Sequence, residues 1–321
     1  MAQNQQRQAE SSIATLTANP AIDISTSVER IAPFHKLRCT EARRDPGGGG
    51  INVARVLRRF GLDAKAIFPS GGSVGQLLQQ LVKEEGIESL STPIPGETRE
   101  DFTVTEQASG GQFRFVLPGP ALSEEECQAL LDALDRLEPR PGFVVASGSL
   151  PAGAPIDLFA RAAGIAAANG AKMVIDTSGP ALAAALSHPL YLVKPNLREF
   201  RELVQAPVDT EAQRVKAARE LIEAKNIGMI ALTLADEGAL LVTRKEAWRG
   251  RAPKVKPVST VGAGDSFLGA MISRLILGRS HEDALRFAVA AGTAALLSPG
   301  TDLCRPEDVD RLLPQVSIEA L

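Results

Sequence analysis

Phe143-Val144-Val145-Ala146, Met173-Val174-Ile175 and Tyr191-Leu192-Val193 are short apolar runs, each followed by a turn and a helical pattern. That alternation is the mark of a parallel sheet whose crossovers are helices. It extends in both directions. Ile13-Ala14-Thr15-Leu16 reads as the first strand, and Ala64-Lys65-Ala66-Ile67-Phe68 as another, with a helix over residues 75–85. Met229-Ile230-Ala231-Leu232-Thr233-Leu234 supplies one more strand, and the chain after Gly262 is mainly helical, with a long periodic stretch over residues 281–297. The pattern predicts an α/β protein with a mostly parallel sheet covered on both faces.

Two segments interrupt the alternation. Residues 25–44 and 98–116 have little helical periodicity and contain Phe102-Thr103-Val104-Thr105 and Gln112-Phe113-Arg114-Phe115-Val116. They read as antiparallel strands apart from the main sheet, with Ser109-Gly110-Gly111 as a hairpin turn. A small sheet inserted in two pieces suits a lid; an edge extension of the main sheet is the alternative.

A chain of 321 residues with 44% apolar content and a net charge of −3 can build a full core. It carries no basic stretch of the kind that binds nucleic acid. One Trp and one Tyr argue against an aromatic platform for single strands. No apolar run is long enough to cross a membrane. Cys39, Cys127 and Cys304 form neither a disulfide framework nor a metal spacing. With a polar, Gln-rich start read as a frayed tail and not as a leader, they predict a reducing cytoplasm.

Two glycine-rich stretches open onto helices. Pro46-Gly47-Gly48-Gly49-Gly50-Ile51-Asn52 runs into the amphipathic pattern of residues 53–60. Bare glycines at a helix start let the backbone approach a ligand, and its free N–H groups can donate to hydroxyls or phosphate. A flexible linker would rarely lead straight into an amphipathic helix. Thr260-Val261-Gly262-Ala263-Gly264-Asp265-Ser266 repeats the arrangement. Here Gly262 and Gly264, with Ala263 between them in the catalytic run, would present amides as an anion hole for a transferring phosphoryl group. Asp265 falls in the first helical turn, where the helix dipole favours its ionised form and makes it a weak base. That suffices for phosphoryl transfer, in which the proton leaves the hydroxyl late. A helix-capping acid is the alternative.

Other chemistries lack their residues. There is no Gly-x-x-x-x-Gly-Lys-Ser/Thr loop and no Gly-x-Ser-x-Gly elbow. The dinucleotide spacing fails at Asn52 when counted from Gly47 and at Phe267 when counted from Gly262. His35, His188 and His281 are scattered, which leaves no support for a zinc site or a histidine triad.

The order and separation of the two glycine sites resemble the PfkB (ribokinase-like) carbohydrate kinases, and the resemblance runs from about Ile13 to the C-terminus. The more specific part is the run Ser259 through Ala270 around Asp265. The resemblance implies a three-layer α/β/α sandwich with a mostly parallel central sheet and a small β lid. It divides the chain into a tail (1–12), a kinase domain (13–24, 45–97 and 117–321) and the lid (25–44 and 98–116). It implies that Asp23 and the Gly48, Gly49, Gly50 and Asn52 turn hold sugar hydroxyls. Lys36, Arg99 and Ser149 would hold the phosphate already on the sugar, with Asp265 as base. Lys194, Asn196, Thr233, Ala235, Gly238 and Gly264 would border ATP. Glu199 would organise Mg2+ through water, and Ser259, Val261, Ala295, Ser298 and Gly300 would line a site for K+.

Two departures stand out. The family usually has Gly where this chain has Ala235, and Asp302 stands where a close relative carries Arg. Position 49 bears on the substrate, because members acting on fructose 1-phosphate or tagatose 6-phosphate typically carry Lys there. Gly49 therefore implies fructose 6-phosphate as acceptor, phosphorylated at its 1-hydroxyl, with tagatose 6-phosphate and fructose 1-phosphate as alternatives. The resemblance also implies a homodimer through the lid. A non-catalytic sugar-phosphate sensor is the alternative of another class, and the intact Asp265, Gly262, Gly264 and Glu199 speak against it.

Overall fold

A computed structural model of the protein describes residues 12–321; the tail expected at 1–12 lies outside it except for Ser12. Seven strands run parallel: β1 (Ile13–Leu16), β4 (Ala64–Ser70), β5 (Glu88–Pro93), β8 (Phe143–Ser147), β9 (Lys172–Asp176), β10 (Leu190–Val193) and β11 (Ile227–Thr233). β12 (Ala239–Thr243), β13 (Ala247–Arg251) and β14 (Ser317–Ala320) continue the sheet antiparallel. The order across the sheet is β14-β13-β12-β11-β10-β9-β8-β1-β4-β5. The antiparallel edge was hidden in the sequence. Ala247-Trp248-Arg249-Gly250-Arg251 has no apolar run, and only pairing with its neighbours makes it a strand.

Side-chain alternation divides the interior into two cores. Val145, Val174, Leu192 and Met229 face helices α1 (Gly49–Arg59), α8 (Ala263–Ile276) and α9 (His281–Ala295) on one side. Val144, Ile175, Val193 and Ile230 face α3 (Glu124–Asp135), α4 (Leu158–Ala168), α5 (Gly179–Ala185) and α7 (Glu211–Lys225) on the other. Every residue of β8 is buried, which is why it reads as a continuous apolar run. α2 (Gly72–Glu84) joins the first core through Leu78 and Val82, α6 (Leu197–Val204) joins the second through Phe200, and α10 (Pro306–Leu312) follows α9. Among the described residues no helix is long and apolar enough to cross a membrane.

The second sheet has the order β3-β2-β6-β7, with β2 at Ala21–Val28, β3 at Arg43–Gly47, β6 at Arg99–Glu106 and β7 at Gln112–Phe115. Its outer pairs are antiparallel, but its central pair β2–β6 is parallel, which corrects the all-antiparallel expectation. The reason is topological. β2 follows β1 and β6 follows β5, so both leave the same end of a parallel sheet in the same direction. The expected hairpin turn joins β6 to β7, with Gly110 at φ +72°.

Candidate active site

The candidate residues gather where parallel strands end, the usual place for a ligand in an open α/β sheet. Thr17 follows β1, Ser147 and Asp176 close β8 and β9, Lys194 follows β10, and Thr233 closes β11. The small sheet meets them through Asp23, which pairs across β2 with Asp45 on one side and Asp101 on the other.

The first glycine turn packs closely against this region. A Cβ on Gly47 would lie 2.5 Å from Asp23 Oδ2, and one on Gly49 would lie 2.3 Å from Ser147 Oγ. The backbone can pass here only without side chains. Thr17 Oγ1 accepts from the Ile51 amide at 2.9 Å, which fixes the start of α1. Asn52, one turn in, is buried and donates from Nδ2 to Asp265 Oδ2 at 2.9 Å. Two motifs far apart in sequence thus meet at one carboxylate.

Asp265 lies in the first turn of α8, after Gly262 in the left-handed region at φ +74°. A side chain on Gly262 would be strained there and would also strike Leu303, 2.4 Å from its Cβ. The expectation that the helix start makes Asp265 an unusually weak base is corrected. Its pKa is raised to about 6, first by loss of hydration and then by the negative charge of Asp176; the Asn52 hydrogen bond and Lys194 only partly oppose this. Desolvation outweighs whatever the helix terminus contributes. Asp23 is raised to about 6 as well, mainly by burial, against a hydrogen bond from the Thr301 side chain.

On the other side of Gly264, Lys194 Nζ is 3.6 Å from where a Cβ of that glycine would stand. Lys194 is buried and paired with Asp176 Oδ1 at 3.0 Å. Asp176 is the residue that sequence reasoning missed. Its signal was available: it is an acid immediately after the apolar run Met173-Val174-Ile175. Asn196 and Glu199 form a reciprocal cap on α6, each accepting from the other's backbone N–H at 2.9 Å. Asn196 also bridges to Thr233. Ala235 stands in the left-handed region at φ +52°, with Gly238 at φ +100°. The usual glycine at 235 is explained by that backbone, which disfavours a Cβ.

Arg99 is held by the Leu117 carbonyl at 3.1 Å and the Asn19 carbonyl at 3.2 Å, and lies 3.4 Å from Asp101. Asn19 donates to Ser149 Oγ at 3.3 Å, so Arg99 and Ser149 flank one residue. Lys36 is not brought to them. It lies on the exposed segment between β2 and β3 and makes no hydrogen bond or ion pair among the described residues.

Ser259, Val261, Ala295, Ser298 and Gly300 do come together. Ser259 Oγ donates to the Gly300 carbonyl at 3.1 Å and accepts from the Val261 amide at 3.2 Å. Ala295 is the last residue of α9, and its carbonyl accepts from the Ser298 amide at 3.2 Å. Asp302, the departure, accepts from Arg43 at 2.9 Å and Arg305 at 2.7 Å, and so ties β3 to the loop after α9. The large hollow of about 830 Å³ lies elsewhere, at the N-terminal ends of the strands around Lys172, Tyr191 and Arg244.

The sequence pattern described as pfkB family carbohydrate kinase matches residues 16–308. The chain is 43% identical over 299 residues to the ATP-dependent 6-phosphofructokinase isozyme 2 of Mycobacterium tuberculosis, covering 93% of this chain and 88% of that one. It is 39% identical over 306 residues to the isozyme 2 enzyme of Escherichia coli, covering 95% and 99%. The structure of the E. coli phosphofructokinase-2 in complex with potassium superposes with a TM-score of 0.89, covering 95% of this chain and 98% of that one. The 1-phosphofructokinase of Bacillus subtilis is more distant, at 30% identity over 309 residues, covering 96% and 100%. With nearly its whole length matched and its two glycine sites joined at Asp265, the chain belongs to the pfkB family of carbohydrate kinases.

Proposed function

We propose that this chain transfers the γ-phosphoryl group of ATP to the 1-hydroxyl of fructose 6-phosphate, giving fructose 1,6-bisphosphate and ADP. The observation that carries the reading is the Asn52–Asp265 contact. It places a carboxylate between a glycine turn suited to a sugar and a helix start suited to a phosphoryl group. Asp23 accepts hydrogen bonds from the sugar hydroxyls, since a carboxylate can take several at once. Arg99 and Ser149, with Lys36 closing from the exposed segment, hold the 6-phosphate.

Asp265 orients the 1-hydroxyl and accepts its proton as the new O–P bond forms and the bond between the γ-phosphorus and the β-bridging oxygen breaks. A pKa of about 6 keeps it ionised at neutral pH while making it a stronger base than an ordinary carboxylate. The amides at Gly262, Ala263 and Gly264 stabilise charge on the transferring group. Lys194, with Asn196, Thr233, Ala235 and Gly238, borders the nucleotide. Substrate choice rests on position 49, where the glycine lets the backbone close directly on Ser147, and on the higher identity to 6-phosphofructokinases than to the 1-phosphofructokinase.

Glu199 fits a magnesium ion held mainly through water and nucleotide oxygens. One of its oxygens accepts from the Asn196 amide, and no group of three acidic, His or Cys side chains forms a protein cage among the described residues. When bound, magnesium neutralises charge on the nucleotide phosphates. Ser298 Oγ is buried without a partner beside the Ser259 and Gly300 loop, which suits an added monovalent cation such as potassium. The small sheet serves as a lid, and its exposed Phe113, Phe115 and Val116 form the contact of a homodimer in a cytoplasmic enzyme.

The test is a coupled assay with ATP and magnesium on fructose 6-phosphate, tagatose 6-phosphate and fructose 1-phosphate. The highest kcat/KM is expected on fructose 6-phosphate, and a clearly higher value on either other sugar overturns the assignment.

A further inference from the structure

Arg55 has no place in the chemistry described above, yet it is fully buried. It sits on α1 inside the apolar run Val53-Ala54-Arg55-Val56-Leu57. An unpaired guanidinium there would be strongly destabilising, and its partners show how it is accommodated. Nε and Nη2 both reach Glu85 Oε1, at 2.9 and 2.7 Å. Nη2 also lies 3.4 Å from Asp45 Oδ1. Nη1 is shared among the Thr301 carbonyl at 3.0 Å, the Pro46 carbonyl at 3.1 Å and Asn52 Oδ1 at 3.3 Å.

The last three contacts all lead to the site. An arginine only donates, so Asn52 must turn its amide oxygen toward Arg55. Its NH2 group then points the other way, to Asp265 Oδ2 at 2.9 Å. Without Arg55 the amide could rotate and present oxygen to the carboxylate. Through the Thr301 carbonyl the same guanidinium holds the residue whose side chain hydrogen-bonds Asp23. Through the Pro46 carbonyl it holds the strand end that enters the glycine turn.

We propose that Arg55 is a positioning residue: it sets the polarity of the Asn52 amide toward Asp265 and fixes the Thr301 segment against Asp23, so that one buried cation aligns both acids of the site. The idea rests on the kinase reading only for its rate consequence. Its structural content concerns Asn52 and Asp265 themselves.

The test follows two readouts on wild type, Arg55→Met and Glu85→Ala. Glu85→Ala removes the clamp from its partly exposed side and does not strand a buried acid. The first readout is the titration of Asp265, followed by 13Cγ-aspartate NMR and assigned by the signal lost in Asp265→Asn. The groups facing Asp265 are Asp176 at the end of β9, Lys194 after β10, Asp23 on β2 and Asn52 on α1; the charge of Arg55 also acts on Asp23, so Glu85→Ala, which keeps the guanidinium, is the variant whose midpoint reports the Asn52 amide.

The midpoint is expected to move to higher pH in Arg55→Met and, by less, in Glu85→Ala. The second readout is kcat on fructose 6-phosphate, expected to fall about ten- to a hundredfold in Arg55→Met with KM for ATP little changed. The loss should not add to that of Asn52→Ala. If Arg55→Met does not fold, Glu85→Ala decides. A wild-type midpoint in the folded variants, or additive losses with Asn52→Ala, overturns the proposal. A wild type without turnover on fructose 6-phosphate overturns the function proposed above and leaves the titration to decide on Arg55.

Discussion

Lys194 Nζ lies 3.0 Å from Asp176 Oδ1, and both groups face Asp265. Burial alone would lower the lysine pKa, but Asp176, Asp265 and Glu199 together outweigh it and hold the ammonium form. Lys194→Met leaves Asp176 and Asp265 confronting each other without a cation. The acid limb of the kcat profile should move to higher pH, and kcat should fall by about a hundredfold. A pH series of initial rates measures both.

Asp265→Asn removes the proposed base and also a penalty. A carboxyl group whose folded pKa is raised from 3.8 to about 6 destabilises the fold at pH values above that range, and the penalty disappears below 3.8, where both states are protonated. The variant is therefore expected to lose most of kcat while gaining on the order of 2 kcal/mol at pH 7.5. The gain should vanish near pH 3.5. Urea melts at the two pH values check the sign. For the wild type, the same shift predicts that kcat declines as pH drops through about 6.

Arg99 is preorganised by the Leu117 and Asn19 carbonyls beside Ser149. Arg99→Ala should raise KM for fructose 6-phosphate about ten- to a hundredfold, with kcat changed far less, as expected for a group that binds a phosphate away from the reacting oxygen. Steady-state kinetics with the sugar varied at saturating ATP is the measurement.

Ala235 carries its Cβ at φ +52°. Ala235→Gly relieves that strain but frees the unfolded chain, so a net gain of about 0.5 kcal/mol is expected. Calorimetry detects it as a small rise in Tm. KM for ATP should fall slightly, because the backbone at 235 can then settle against the phosphates.

Phe115 on the edge strand β7 is 53% exposed, and Val116 beside it is 58% exposed. An uncovered edge strand with apolar side chains invites pairing with another copy. Light scattering should find a dimer for the wild type and a monomer for Phe115→Glu.

The strands that build the parallel core were legible because each is buried on both faces, as β8 is, so its sequence is unbroken by polar residues. The glycine sites were legible for a related reason: the backbone passes so close that, as the segments stand, a Cβ at Gly49 would meet Ser147 and one at Gly262 would strike Leu303. The antiparallel edge β12 to β14 and the parallel pairing of β2 with β6 were not, because pairing direction is fixed by where a strand leaves the main sheet.

The sequence by itself determined the α/β alternation, the two glycine turns and the place of Asp265 in the first helical turn after the second of them. These are local matters, written in periodicity and in the absence of side chains. Tertiary structure alone decided how readily that carboxyl group holds a proton. Loss of water and the nearness of Asp176 set its pKa, and the direction of the Asn52 amide follows from a buried guanidinium on the same helix. Desolvation and through-space charge depend on distances between segments far apart in the chain, and no local pattern encodes them.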